Sequence, residues 1–510
     1  MSWSLSDEQR ADMARRIMEN ITGMAFFNGQ VISEAGARAA AKNIESRGYY
    51  VAGIAASTTT GSRPHIEGVR GYARACGGLV LEAVRGAGAT DSAAAGASST
   101  TEFDLFGNNR EFLQGERAEE VLAPLLKEGA AFTKIRLSTK SFGREAAEVT
   151  TRALHNIRGT LKDADFSDII AGRPEDEALD TLRIIAKALS VCKLRSFDFS
   201  DNALGEKGVR AVGEAMTSQP QIEEVAFRND GISVHAARAL DELMPSVQAL
   251  RKFHFFNNMS GDEGAEALAN ILSRAPNMED FRMVSTRVAV DGGIALAKGL
   301  AATRKLRRLD LSDNMLGESG EAIGQMLAAQ GELLYLNLGD TGLMDEGVAA
   351  VLNGVAASGA KLEVLEMGSN EITAEGAQGV AMFLAQQPKL TKLNLRENEL
   401  GDRGVLMILK GLAHSKAPIQ HLDLSENQLR RVGALAVASY AAGLGSIDHV
   451  GLNGNALSED GVEEVAAALA GKEGVLSEMD DNDEDNAEED EDEGDEGGDE
   501  LDEALAGLAL

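Results

Sequence analysis

The side chains that could act on another molecule come here as a series spaced by repetition. Asp168, Asp201, Asn229, Asn257, Ser285, Asp313, Asp340, Ser369, Glu397, Glu426 and Gly454 each stand one residue before a recurring asparagine position. Such a row offers hydrogen bonds and negative charge to a partner, and it is equally what a solvated edge looks like. One cation stands out against it. Arg173 lies in an extended turn, SDIIAGRPEDE, just before Pro174 and the acidic helix start Glu175, Asp176 and Glu177. It either pairs with those acids or is held on the same edge as Asn229. The chain has no GxxxxGK[ST] phosphate loop, no HExxH zinc pair, no GxSxG elbow and no CxxC, and none of its seven histidines lies four residues from another. Chemistry carried out wholly within this chain is therefore not expected, and no metal site is.

What positions the series is a repeated sentence. LRRLDLSDNMLGESG runs from Leu306 to Gly320, LTKLNLRENELGDRG starts at Leu390, and a looser version, LRKFHFFNNMSGDEG, starts at Leu250. The asparagines fall at 202, 258, 314, 370, 398, 427 and 455, with gaps of 56, 56, 56, 28, 29 and 28. The period is thus 28–29 residues, with Asp230, Thr286 and Thr341 at the intermediate places. Two weaker units begin near Thr133 and Leu161, which makes about twelve.

In one unit a short strand (Leu309, Asp310, Leu311) alternates its side chains, and a turn follows in which Asn314 can bond the backbone of adjacent turns. Leu316 points inward, Gly317 and Gly320 relieve crowding, and a helix from Glu321 to Ala329 returns the chain. Strands stack about 4.8 Å apart, whereas packed helices need about 8–10 Å. Helices on one side therefore bend the stack, with a parallel sheet on the concave face. The expected fold is α/β, a leucine-rich repeat horseshoe with long, helix-containing, ribonuclease-inhibitor-like repeats, preceded by a small all-α domain.

The boundaries follow from composition. Residues 1–85 are Ala-rich and helix-patterned, 86–101 are small and polar like a linker, and 102–130 are suited to a cap for the exposed end of an array. Repeats occupy 131–474, and 475–510 form an acidic disordered tail. Between Glu478 and Glu503 stand eighteen acidic residues and no Lys or Arg, so of the net charge of −32 about −14 remains elsewhere. That field argues against nucleic acid and for a basic protein partner. No apolar run reaches the roughly 18 residues that suggest a membrane span, and the two cysteines, Cys76 and Cys192, fit no disulfide framework, as in a reducing compartment.

The ordered run FSDIIAGRPEDEA, LRSFDFSDNALGEKG, EEVAFRNDGIS and FFNNMSGDEGA resembles the plant-type Ran GTPase-activating proteins over nearly the whole chain. YARACGGLVLEAV, around Cys76, is similar to their helical WPP domain, although the Trp-Pro-Pro signature reads Trp3-Ser4-Leu5. The resemblance implies acceleration of GTP hydrolysis on Ran, in support of directional transport between nucleus and cytoplasm. It implies no cofactor of the chain's own, since GTP and Mg²⁺ belong to the GTPase, and no arginine finger. Asn229 is implied as the catalytic asparagine that orders the GTPase's own glutamine, and an amide can do this with two directed bonds. Arg173, Asp168, Asp201, Asn202, Arg228, Asp230 and Asn257 are implied as partner contacts. Ran-GTP is the expected partner, joined by a Ran-binding protein and, against the missing prolines, by a coiled-coil anchor at the nuclear envelope. The expected location is the cytoplasm and that envelope. From the residues alone, a non-catalytic repeat scaffold or inhibitor of a basic protein is the alternative.

Overall fold

The computed structural model describes residues 101–106, 110–472 and 474–482. They belong to one unit that begins at Thr101. The helical region, the WPP-like stretch and the acidic run beyond Asn482 lie outside the described residues.

Short segments, most with an apolar centre between polar neighbours, form strands wherever the repeat places them. They are β1 (Glu102–Asp104), β2 (Phe112–Leu113), β3 (Lys134–Arg136), β4 (Ser141–Phe142), β5 (Asp163–Asp165), β6 (Ser196–Asp198), β7 (Glu224–Arg228) and β8 (Lys252–Phe256). There follow β9 (Asp280–Val284), β10 (Arg308–Asp310), β11 (Tyr335–Asn337), β12 (Val364–Glu366), β13 (Lys392–Asn394), β14 (His421–Asp423) and β15 (His449–Gly451). Among the described residues thirteen of them, all but β2 and β4, make one sheet in sequence order. Every pairing is parallel, and the central residue of each strand meets the next in register, as in Leu309, Leu336, Leu365, Leu393, Leu422 and Val450. These six are fully buried against the helical layer. The flanking residues of each strand point the other way, to the concave face.

Helices return the chain along the outside, as α1 (Gly115–Leu126), α2 (Arg144–Ile157) and α3 (Glu175–Leu189) do at the start of the array. α1 buries Ala118, Leu122 and Leu125. The segment read as a cap is more than that: β1 extends the sheet by a further strand, pairing Phe103 with Ile135. The helix of this segment begins only at Gly115, because Phe112 and Leu113 pair with Ser141 and Phe142 first.

Two further expectations shift. In the regular unit the return is split, with a 3-10 turn at Gly317–Ser319 leading into a helix at Gly320–Leu327, and Gly317 takes a positive φ of 44° that glycine adopts without penalty. The array also runs past 474. Val450 bridges Leu476, Asn455 N–H donates to Asn482 Oδ1 at 2.9 Å, and Asn453 Nδ2 donates to Asp481 Oδ2 at 2.8 Å. Residues 475–482 therefore form a last rung, and the first acids of the supposed tail belong to the repeats.

The outer layer has a tight seam. A Cβ on Gly354 would run into the Gly324 carbonyl, and one on Gly324 into the Ala350 carbonyl. Glycine at both places lets the helices Gly320–Leu327 and Met344–Ser358 approach backbone to backbone.

Candidate functional site

Every member of the edge series takes the same backbone shape. Asp168, Asp201, Asn229, Asn257, Ser285, Asp313, Asp340, Ser369, Glu397 and Glu426 all have φ between 47° and 63°, and Gly454 has φ 70°. This left-handed conformation turns the chain out of the strand and lifts each side chain onto one rim, and Asn and Asp tolerate it better than other residues with a Cβ. From Asp168 to Glu426 each rim N–H is satisfied by a carbonyl one unit on, as when Asn229 N–H donates to Phe256 O at 3.1 Å.

Three neighbouring rim side chains form a directed relay. Asn229 Nδ2 donates to Asp201 Oδ1 at 2.6 Å, and Asn257 Nδ2 donates to Asn229 Oδ1 at 2.6 Å. Asp201 accepts through Oδ1 and so sets the direction: Asn229 presents its NH₂ to it and its oxygen to Asn257. The exposed Asn229 amide is thus held from both sides, with one N–H and one lone pair left for a partner.

Arg173 is not on this rim. Its side chain is only 5% exposed. Nε donates to Ser141 Oγ at 3.0 Å, Nη2 to the carbonyls of Ser141 (2.7 Å) and Leu113 (3.1 Å), and Nη1 to Glu177 at 3.3 Å. The Phe112 ring lies 5.1 Å from the guanidinium carbon, and Gly143 leaves the space that the head group fills. Arg173 pins β2 and α1 to the units behind them. A partner contact by this side chain is corrected to an internal one, because a buried guanidinium engaged in four hydrogen bonds inside the chain has little left to offer.

Asn202 and Asp230 are corrected likewise, at 2% and 0% exposure. Asn202 is a ladder asparagine: Nδ2 donates to the carbonyls of Phe166, Phe199 and Ser200, and Oδ1 accepts from Ile169 N–H. Asp230 occupies the next rung, beneath Asn229. Its Oδ1 accepts from Asn202 N–H at 3.1 Å, while Oδ2 is buried without a partner. Burial pushes the Asp230 carboxyl well above the usual carboxylate range.

An exposed cation of this edge that sequence reasoning missed is Arg110. Its guanidinium pairs with Asp168, at side-chain exposures of 44% and 19%. Burial raises the Asp168 carboxyl above its ordinary value despite the attraction of Arg110. Nothing in the repeat pattern marks Arg110, because it precedes the first clear unit. Arg228, at the exit of β7, leans over the Phe256 ring at 5.5 Å on the concave side of the relay. Its Nε is buried without a partner. The geometry therefore brings together Arg110 with Asp168, and Asp201 with Asn229 and Asn257, and leaves Arg228 half-buried beside them.

A family profile described as Leucine Rich repeat matches residues 192–213, 360–381 and 386–409. The chain is 40% identical over 501 residues to an Arabidopsis thaliana protein named RAN GTPase-activating protein 2, a match that covers 95% of this chain and 90% of that one. It is 38% identical over 229 residues to the Arabidopsis RAN GTPase-activating protein 1, covering 44% of this chain and 42% of that one. A pig protein named Ribonuclease inhibitor is 26% identical over 205 residues, covering 34% and 45% of the two chains. Likeness to a relative across almost the full length of both chains, in a repeat array with an ordered asparagine relay on its rim, places this chain in the family of RAN GTPase-activating proteins.

Proposed function

We propose that this chain activates GTP hydrolysis on Ran by presenting Asn229 from its rim to the GTPase's own catalytic glutamine. The observation that carries this reading is the relay of Asp201, Asn229 and Asn257 in a chain of this family. A water-orienting glutamine gains from being confined to one geometry, and an amide already fixed by two neighbours loses little freedom in confining it. No arginine of this chain enters the chemistry, and nucleotide and Mg²⁺ are the partner's. Asp168, Asp201, Asn257, Arg228 and Arg110 make the docking contacts, with Arg110 taking the place assigned to Arg173. A Ran-binding protein joins the complex, and the chain works in the cytoplasm and at the nuclear envelope.

Single-turnover hydrolysis by Ran·GTP, with and without this protein at micromolar concentration, tests the reading. Acceleration is expected, and its absence rejects it. Arg110→Ala should weaken binding and leave the saturated rate intact; a fall in that rate would make Arg110 an arginine finger. Equal capture of GTP- and GDP-loaded Ran without acceleration would return the scaffold alternative.

A further inference from the structure

The concave face near the end of the array carries a cluster that the rim does not use. His421 and Asp423 are two apart on β14, so both project from the same face of the sheet while Leu422 between them is buried. His449 on β15 is in register with His421, and their rings stack 4.2 Å apart at 11°. Asp423 is paired in register with Gly451. A Cβ on Gly451 would collide with Asp423 Oδ1, so the missing side chain is what lets the carboxylate lean across toward β15. Ser425 N–H donates to that Oδ1 at 3.1 Å and holds the carboxylate there, leaving Oδ2 for a ligand. One donor atom from each of His421, Asp423 and His449 lies within 4.8 Å of the others, and all three residues are half-buried.

We propose that His421, Asp423 and His449 form a binding site for a divalent transition cation of the zinc class. Two imidazoles and one carboxylate are a donor set that zinc accepts, with the fourth position left to water. Bonds of about 2.1 Å in a tetrahedron place the donors about 3.4 Å apart, so they must close by about 1.4 Å at most. Rotation of the side chains supplies that without moving a strand. The neighbouring positive charges are already engaged, Lys392 on β13 by Glu366 at 3.2 Å and Arg396, which also feels Asp423, by Glu426. The site is seven strand spacings from Asn229, roughly 34 Å along the sheet, so it stands or falls independently of the activity on Ran.

The full chain titrated with Co²⁺ and then with Zn²⁺ tests this. The acids of the C-terminal run also attract divalent ions, but oxygen donors and water give six-coordinate Co²⁺, which absorbs weakly. Imidazole ligation at low coordination number gives a strong visible band. One equivalent of Co²⁺ should produce that band, Zn²⁺ should bleach it, and His449→Phe, which keeps the ring stack and removes the donor nitrogen, should abolish it. An unchanged melting temperature of metal-free His449→Phe checks that the variant is folded. His421→Ala should abolish the band as well, and Asp423→Asn should weaken Co²⁺ binding at least tenfold. A wild-type protein with only the weak band, or a strong band that survives His449→Phe and His421→Ala, overturns the assignment.

Discussion

The front and back halves of the array are built from one unit but not on one ladder. From Asn370 through Asn398, Asn427 and Asn455 to Asn482, every rung is an amide. Asn398, for one, donates to the carbonyls of Met367, Leu395 and Arg396 and accepts from the N–H groups of Asn370 and Ile372. In front of them Asn202, Asn258 and Asn314 alternate with Asp230, Thr286 and Thr341, which cannot make the same set of bonds. Thr341, for instance, has only one hydroxyl hydrogen, to share between Leu338 O and Asn370 Oδ1. The cores differ in parallel: Phe199, Phe227, Phe253, Phe255 and Phe281 fill the front, and Leu336, Leu365, Leu393 and Leu422 the back. The regular half specifies shape. The interrupted half keeps its shape with aromatic packing and carries the amide relay.

The largest effect expected from testing this contrast is on stability. Arg173→Ala in the front should cost about 2–4 kcal/mol in urea melts, since it removes the donors to the Ser141 carbonyl and hydroxyl and empties the packed space beside Phe112. Its counterpart in the back, Arg396→Ala, removes an exposed pair with Glu426 and should cost under about 1 kcal/mol. Equal losses would erase the distinction between an internal and a surface cation. Next comes activity. Asn229→Ala should lower the saturated rate of Ran GTP hydrolysis by about 10²–10³, the scale seen when one directed donor is lost. Its fold should lose only about 1–2 kcal/mol, for a Cβ residue at positive φ without Asn's local bonds. Glu397→Ala, at the same place in a back unit, should leave the rate unchanged.

Smaller effects concern the ladder itself. Asn398→Ala should cost roughly 2–3 kcal/mol by leaving buried groups unpaired on both sides. Asp230→Asn should stabilise the protein by about 1 kcal/mol at neutral pH, by completing an interrupted rung. The pH dependence has a definite sign. Burial and then the charge of Asp198 push the Asp165 carboxyl up to about 6, and Asp230 is raised too. Both hold a proton in the folded chain that the unfolded chain releases near the ordinary value of 3.8. Their contribution is fully present below that value and is lost as pH rises, between about 4 and about 6 for Asp165. Asp230→Asn should flatten the part of this decline that belongs to Asp230, as followed by melting temperature against pH. The smallest effect is at the end of the ladder, where Asn482→Ala should cost under about 1 kcal/mol and speed hydrogen exchange at the Asn455 amide.

The period, the parallel sheet and the rim positions were readable from the chain, because a repeat fixes the register of every equivalent residue once one is placed. Asn229 was therefore located correctly on an exposed edge. Its fixation by Asp201 and Asn257 could not be read, since equivalent positions reveal adjacency and not which amide atom faces which. Asn202 and Asp230 were assigned to the partner although the same pattern puts them on the buried ladder; the pattern outranks proximity to Asn229. Arg173 was left between pairing with the acids after it and a place on the rim; it pairs with Glu177, and its other partners, Leu113, Ser141 and Phe112, come from segments without a clear repeat. Arg110 was hidden for the same reason. The last rung was overlooked because acidic composition dominates Glu478 onward, yet Asn482 lies 27 residues after Asn455, a spacing that continues the ladder.

The glycine seam between the outer helices sets how widely the arc gapes. A curved stack opens or closes according to the difference between its inner and outer spacings. Every ångström removed between Gly320–Leu327 and Met344–Ser358 therefore straightens the arc there, and rim residues in front and behind swing apart as on a hinge. Gly324 and Gly354 thus act as an adjusting screw for the size of guest that can touch both ends at once. A bulkier residue at either would tighten the curl, a change that small-angle scattering would register as a shorter longest dimension.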